Sequence, residues 1–168
     1  NPRRWPHQGA RKSLPYAEAW ERDKKVDVFA TDDDGTCRRL VASGGLGLFP
    51  RHPLLRRCGF SEYWGPGHSE NHGAPLLGRT QVVPRAELRA VLRIVRRVRT
   101  PTKILCDCQW VVTGTQRLLE GHDIGKQDHL DVWRELNEAI EDVPKGTLAI
   151  QNVPTRVTKQ DVLDGKID

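Results

Sequence analysis

The feature that most constrains the fold of this chain is a change of hydrophobic period near Arg85. From here four apolar residues recur at the spacing of one helical face: Leu88, Val91, Leu92 and Val95. Thr100-Pro101 ends that helix, and the apolar run Lys103–Cys106 predicts a buried strand with Asp107 at its carboxyl end. Open α/β sheets build their sites at the carboxyl ends of strands. This unit therefore predicts an α/β fold with a candidate site at Asp107.

Apolar runs before and after this unit predict the remaining elements. The strand candidates are Lys25–Ala30, Gly44–Phe49, Gly59–Trp64, Leu76–Gln81 and Thr147–Val153. The helix candidates are Val111–Glu120 and a segment that begins at Asp128 or His129. Because strands precede the helices and then alternate with them, the order predicts a mixed sheet with helices packed on it.

Size and composition fit one folded domain with a polar flank. The chain has 168 residues, of which 37% are apolar and 29% charged, which is enough for one sizeable core. Residues 1–24 are rich in proline and basic residues. They predict an N-terminal extension or linker, with nucleic-acid binding by charge and stacking as the alternative. Residues 25–168 are the predicted domain. The chain starts at Asn1 and contains no methionine, so we expect a piece of a longer reading frame.

Charge and cysteine content narrow the class of protein further. Lys and Arg number 27 against 22 Asp and Glu, a net charge of +5 that suits either a polyanionic partner or a solvated surface. Cys106 and Cys108 flank one residue of a predicted strand, which is poor geometry for a mutual disulfide, and no paired C-x-x-C spacing indicates zinc. We therefore expect reduced thiols in an intracellular reducing compartment, nucleus or cytoplasm. No apolar run has the length of a membrane span, so no membrane partner is expected.

Three acidic residues stand where a sheet and its helix could bring them together. Asp34 follows the first predicted strand, although Asp32–Asp34 beside Gly35 is also typical of a polar turn. Glu87 lies near the start of the predicted helix, where a glutamate is commonly a partner of the helix dipole. If the first strand is the neighbour of the strand before Asp107, the three carboxylates converge. Two Mg²⁺ ions about 4 Å apart would then relieve the repulsion between the carboxylates. In phosphodiester hydrolysis they would activate a water molecule and stabilise the leaving oxygen.

The predicted outer side of the same helix carries a run of arginines: Arg89, Arg93, Arg96, Arg97 and Arg99. No acidic residue lies among them in the sequence. Because like charges at i and i+4 destabilise a helix, the run indicates a phosphate-facing surface rather than a merely soluble one.

Three ordered motifs resemble those of type 1 ribonuclease H domains. Asp34-Gly35-Thr36-Cys37 resembles their D-G-S-C. Gln81-x-x-x-Arg85-Ala86-Glu87-Leu88 resembles their Q-T-x-x-R-A-E-L, and Cys106-Asp107-Cys108-Gln109-Trp110-Val111 is similar to their T-D-S-Q-Y-V. The resemblance covers residues 25–157 and implies a ribonuclease H-like mixed five-stranded sheet flanked by helices. Such domains occur alone and inside retroelement polyproteins, where they cut the RNA strand of RNA–DNA hybrids.

The resemblance implies a role for each motif residue. Asp34, Glu87 and Asp107 would bind two Mg²⁺ ions, with Mn²⁺ as a possible substitute and Asp32 as the alternative first ligand. Gln109 would lie beside the backbone of an RNA–DNA hybrid, or else simply pack at the surface, and Arg85 would support the site. Together with arginines of the helical run, the predicted nucleic-acid-binding set is Gln109, Arg85, Arg89, Arg93 and Arg96.

Two departures from the family pattern favour a rival function. Arg156 stands where the family has a histidine. No fourth acidic motif precedes Asp168, so the last helix of the family is expected to be missing. The alternative to a nuclease is a catalytically degenerate module that only binds nucleic acid or serves as part of a retroelement polyprotein. In both cases we expect a monomeric domain.

Overall fold

The structure is a computed structural model that describes residues 27–154. These residues form six strands and three helices. The strands are β1 (Phe29–Thr31), β2 (Cys37–Leu48), β3 (Arg57–Tyr63), β4 (His72–Pro75), β5 (Thr102–Cys106) and β6 (Leu148–Asn152). The helices are α1 (Val83–Arg97), α2 (Gln109–Leu119) and α3 (Leu130–Glu141).

The sheet is mixed, with the strand order β4-β3-β2-β5-β6. The pairs β2–β3 and β3–β4 are antiparallel, whereas β2–β5 and β5–β6 are parallel. Parallel neighbours need crossover connections, and α1 supplies the first crossover while α2 and α3 supply the second. The predicted mixed five-stranded sheet flanked by helices is confirmed. β1 is an additional sixth strand that pairs with the start of β2.

β2 is longer than the sequence pattern predicted. The predicted strand Gly44–Phe49 corresponds to the second half of β2, which begins at Cys37 and buries Val41 in the core. Consequently β2 is the parallel neighbour of β5, and β1 pairs only with β2 in the described part of the chain. The hypothesis that the first strand lies beside the strand before Asp107 is wrong.

α1 is the central element of the core. It packs across β2 and β3 on one side and against α3 on the other. The predicted apolar stripe is confirmed, because Leu88, Val91, Leu92 and Val95 are each at most 1% exposed. A fully buried aliphatic side chain contributes about 1.5–3 kcal/mol to folding, so this stripe fixes the helix on the sheet.

Two local predictions are wrong. The predicted strand Leu76–Gln81 is a loop, in which the Gln81 side chain forms hydrogen bonds with backbone groups of β3 and of the loop itself. α1 begins at Val83 rather than at Arg85. Glu87 therefore lies in the second turn and faces the sheet, so it is not a partner of the helix dipole.

Some predictions concern other parts of the chain. The predicted extension of residues 1–24 and the expected departure at Arg156 lie outside the described residues. No helix within residues 27–154 is long and apolar enough to cross a membrane.

The contact between α2 and α3 gives a test of the packing. A Cβ atom at Gly114 would lie 2.2 Å from a ring carbon of Trp133, which is itself fully buried. We expect Gly114→Ala to lower the free energy of unfolding by about 1–3 kcal/mol, the usual cost of overpacking a core. Urea denaturation measures it. Gly73→Ala is the control, since the nearest atom to a Cβ there is 3.9 Å away. Equal losses in the two variants would contradict the packing described.

Candidate metal centre

Glu87 is a carboxylate buried between α1 and the sheet. Glu87 is 3% exposed, and its Oε1 accepts a hydrogen bond from the backbone N–H of Gly45 on β2 at 2.8 Å. A Cβ atom at Gly45 would lie 3.0 Å from the Cγ of Glu87. The absence of a side chain at Gly45 therefore allows the helix to bring this carboxylate close to the strand.

Asp107 and Cys106 lie opposite Glu87 at the carboxyl end of β5. The Cys106 Sγ is 3.9 Å from the Glu87 Oε2. A carboxylate oxygen of Asp107, one of Glu87 and the Cys106 sulfur all lie within 4.8 Å of one another. The structure thus brings together Glu87 and Asp107, as the sequence predicted, and adds a thiol that the sequence prediction did not include.

The two carboxylates interact unfavourably when both are charged. Burial, the charge of Asp107 and a hydrogen bond with Asp107 together raise the pKa of Glu87 to about 8. Burial also raises the pKa of the Cys106 thiol, to about 11. A positive charge at this position would offset both effects. The group Glu87, Cys106 and Asp107 could therefore hold a divalent cation.

This fold has counterparts among solved structures. No family model and no curated protein matches the chain. The solution structure of the PFV RNase H domain is 16% identical and superposes with a TM-score of 0.52, over 75% of this chain and 87% of that chain. LC9-RNase H1, a type 1 RNase H with the type 2 active-site motif, is 17% identical with a TM-score of 0.50, over 71% and 65% of the two chains. The foamy viral protease-reverse transcriptase in complex with RNA/DNA hybrid is 17% identical with a TM-score of 0.53, over 89% and 22%.

The chain has the ribonuclease H fold. At these identities the similarity concerns the fold, and the chemistry of the site has to be argued from the residues of this chain.

Asp34 lies apart from the carboxylate pair of Glu87 and Asp107. It lies in the hairpin turn between β1 and β2, where its carboxylate accepts hydrogen bonds from Arg38 at 3.0 and 3.2 Å and from the Thr36 N–H at 2.9 Å. These donors lower the pKa of Asp34 to about 2. From Cys37 to Ser43 the strand rises by about 20 Å, and Ser43 is the partner of Cys106. The prediction that Asp34 lies beside Asp107 is therefore wrong.

The alternative first ligand, Asp32, lies at the same far end of β2. Its carboxylate forms ion pairs with Lys103 and, at 2.6 Å, with Arg38. Lys103 is the largest contributor to the lowered pKa of Asp32. Asp32 and Asp34 are thus paired with cations of β2 and β5, which agrees with the polar turn that the sequence left open as the alternative.

The residues of β2 that do face the site are Ser43 and Gly45. Ser43 pairs with Cys106 on β5, and Gly45 donates its N–H to Glu87. Sequence reasoning missed both, because it started the strand at Gly44 and sought an acid at its end. The glycines of the run Gly44–Gly47 were the available signal, since glycine in a strand often marks a close backbone approach.

Two arginines of α1 are paired with a buried acid of the sheet. Arg93 and Arg97 lie 3.3 and 3.0 Å from the Oε1 of Glu62 on β3. Burial raises the pKa of Glu62, and the two arginines oppose that rise. A buried carboxylate requires such partners, so these side chains attach α1 to β3.

The other arginines of this helix are paired with acids of α3. Arg85 donates a bidentate pair of hydrogen bonds to the Asp131 carboxylate at 2.7 and 2.9 Å. This pair holds the pKa of Asp131 well below its usual range. Arg89 lies 2.7 Å and Arg96 lies 3.8 Å from Glu135. Three arginines of the predicted phosphate-facing surface are thus paired with acids of the neighbouring helix, and their contact with a nucleic acid stays a prediction. Sequence reasoning missed this because the acids are distant in the chain.

Gln109 is the exposed first residue of α2, two positions after Asp107. Its side chain donates a hydrogen bond to the Thr113 hydroxyl at 2.9 Å. A role for Gln109 in substrate contact remains a prediction.

The raised pKa of Glu87 predicts a pH-dependent stability. Without a metal, the folded protein holds a proton on Glu87 up to about pH 8, whereas the unfolded chain releases it near 4.5. The folded state binds more protons in this window, so the free energy of unfolding should fall as the pH rises. Glu87→Gln keeps an oxygen for the Gly45 N–H and should remove that slope. Urea denaturation between pH 4.5 and 8 in a chelating buffer measures the difference between the two proteins. Identical slopes would contradict the buried carboxylate pair.

Proposed function

We propose that this chain is a metal-dependent nuclease of the ribonuclease H type that hydrolyses the RNA strand of RNA–DNA hybrids. The pairing of Glu87 and Asp107 at the carboxyl end of β5 carries the proposal. Burying one carboxylate against another destabilises a protein unless a cation or a proton compensates. A divalent cation between these side chains gives the pair a function that packing alone does not require.

The donor set fits a hard divalent cation such as Mg²⁺ or Mn²⁺. Glu87 and Asp107 offer carboxylate oxygens, the ligands these ions favour, and the Gly45 N–H orients the carboxylate of Glu87. When bound, such an ion activates a water molecule and stabilises the leaving oxygen of a phosphodiester. Since Asp34 lies at the other end of β2, the described residues supply carboxylates for one ion rather than for the two expected from the sequence.

The surface that we assign to the hybrid is the loop between β2 and β3 together with Arg57, the first residue of β3. Arg51 and Arg57 are exposed, and among residues 27–154 neither forms an ion pair with an acid. The loop leaves β2 at Leu48, three residues beyond Gly45, which places its base about 10 Å from the candidate metal centre. Unpaired arginines at this edge suit phosphate groups of a nucleic-acid backbone.

A second candidate is a module that binds the hybrid without cutting it. One observation favours it: β2 presents Ser43 and Gly45 to the carboxylate pair, and neither is an acid. Fewer carboxylates mean weaker binding of a second hard ion, and two-ion hydrolysis needs both ions. The two candidates separate by turnover, not by binding.

A labelled RNA–DNA hybrid tests the enzymatic proposal. With Mg²⁺ the chain should cut the RNA strand, and Asp107→Asn should lower the rate by about 100-fold or more, since loss even of an outer partner of a metal site costs about 10- to 100-fold. Hybrid affinity should stay within a few-fold. Asp123→Asn, in an exposed loop, is the control and should keep the wild-type rate. Binding by the wild-type chain without any turnover would support the second candidate instead.

The salt dependence of hybrid binding tests the loop. Each arginine that contacts a phosphate contributes about 0.9 to the slope of log affinity against log salt concentration. We expect Arg51→Gln and Arg57→Gln each to reduce the slope by about that amount. Arg89→Gln, which removes the same charge from an ion pair on α1, should leave the slope unchanged. The reverse pattern would return the binding surface to α1.

A further inference from the structure

We propose that the candidate metal centre also takes a thiophilic divalent cation, such as Zn²⁺ or Cd²⁺, through the Cys106 thiolate together with Glu87 and Asp107, and that this cation competes with Mg²⁺. Only the expected inhibition of cleavage rests on the proposed function. The binding itself depends only on the side chains described here.

The geometry places a sulfur among the metal-binding oxygens. The Cys106 Sγ lies 3.9 Å from the Glu87 Oε2, and the ligand atoms of Cys106, Glu87 and Asp107 lie within 4.8 Å of one another. An ion at their centre would reach all three with small side-chain adjustments. Cys106 is fully buried and free of any disulfide, while Asp107 is partly exposed and opens the site to solvent.

A second observation points to a ligand at the same position. Ser43 is 8% exposed, and among the described residues the only partner for its Oγ is a weak hydrogen bond with the thiol of Cys106. It is the cross-strand partner of Cys106 in the β2–β5 pair, so both side chains project to the same face of the sheet. A buried hydroxyl without a strong hydrogen-bond partner costs stability. A bound cation, or a water molecule that the cation carries, would satisfy it.

The donor chemistry selects the class of ion. Thiolates favour Zn²⁺ and other soft or borderline ions, whereas carboxylates and water suit Mg²⁺. One sulfur with two carboxylates, and a fourth position left for water or Ser43, matches the four-coordinate geometry of zinc sites. Binding displaces the thiol proton of Cys106 and the proton that Glu87 carries in the metal-free protein, and both are released to solvent with no change of oxidation state.

The consequence is a choice between two ions at one site. A thiophilic ion would occupy the same carboxylates that Mg²⁺ needs, so it should inhibit cleavage at concentrations far below those of Mg²⁺. Loss of the sulfur should therefore separate the two ions. Cys106→Ser should retain Mg²⁺ binding, because the carboxylates remain, and should lose the preference for the thiophilic ion.

Cadmium titration of the full chain tests the proposal without reference to activity. Wild-type protein and Cys108→Ser, the matched control from the neighbouring cysteine, should show a cadmium–thiolate charge-transfer band that saturates at one ion. Cys106→Ser should lose the band, and its Cd²⁺ affinity should fall by more than the roughly 10- to 100-fold typical of an outer partner. A band that survives in Cys106→Ser, or disappears in Cys108→Ser, would overturn the assignment.

A second measurement uses only the native sequence, in case Cys106→Ser does not fold. X-ray absorption at the zinc edge of the wild-type complex should show one sulfur among oxygen neighbours. A shell of oxygens alone would reject the thiolate. If the sulfur is present but hybrid cleavage never occurs with Mg²⁺, the metal site stands and the nuclease proposal fails. If cleavage occurs and no sulfur is seen, the reverse holds.

Discussion

The arrangement of this molecule depends on one buried carboxylate, Glu87. α1 carries it into the interface with the sheet. There the Gly45 N–H donates a hydrogen bond to it, and Asp107 approaches from the end of β5. Desolvation and the second carboxylate together raise its pKa, and a cation is the partner that would allow both groups to be charged. The absence of a side chain at Gly45, the parallel pairing of β2 with β5 and the position of Asp107 all contribute to this one contact.

The helix that carries Glu87 is held by two different kinds of interaction. Its inner face is an apolar stripe in full contact with the core, and its outer arginines are bound by acids of β3 and α3, chiefly Glu62, Asp131 and Glu135. These ion pairs occupy cations that would otherwise be available to phosphate groups. The exposed Arg51, in the β2–β3 loop, and Arg57, at the start of β3, lie near the carboxyl end of β2 and remain available. For this reason we propose the loop rather than the helix as the path of a nucleic acid.

The helix–strand unit was predictable because its signals are local. The apolar spacing from Leu88 to Val95 and the strand before Asp107 are each contained in a few residues, and both are confirmed. The helix ends at Arg97, a few residues before the predicted stop at Thr100-Pro101. The position of Asp34 was not predictable in this way, because it depends on where β2 begins and on which strand pairs with β5. The same limit applies to the arginines, whose partner Glu135 lies 46 positions from Arg89, and to the Cys106–Ser43 pair, which only the register of the sheet brings together.

The most direct test of the account is the Mg²⁺ affinity of two asparagine variants, measured by calorimetry. The account predicts that Asp107→Asn loses at least about tenfold in affinity, whereas Asp34→Asn binds Mg²⁺ as the wild type does, because Asp34 is paired with Arg38 at the far end of β2. Loss of Mg²⁺ binding in Asp34→Asn to the same extent as in Asp107→Asn would show that Asp34 belongs to the metal centre, and it would contradict the strand pairing on which the account is built.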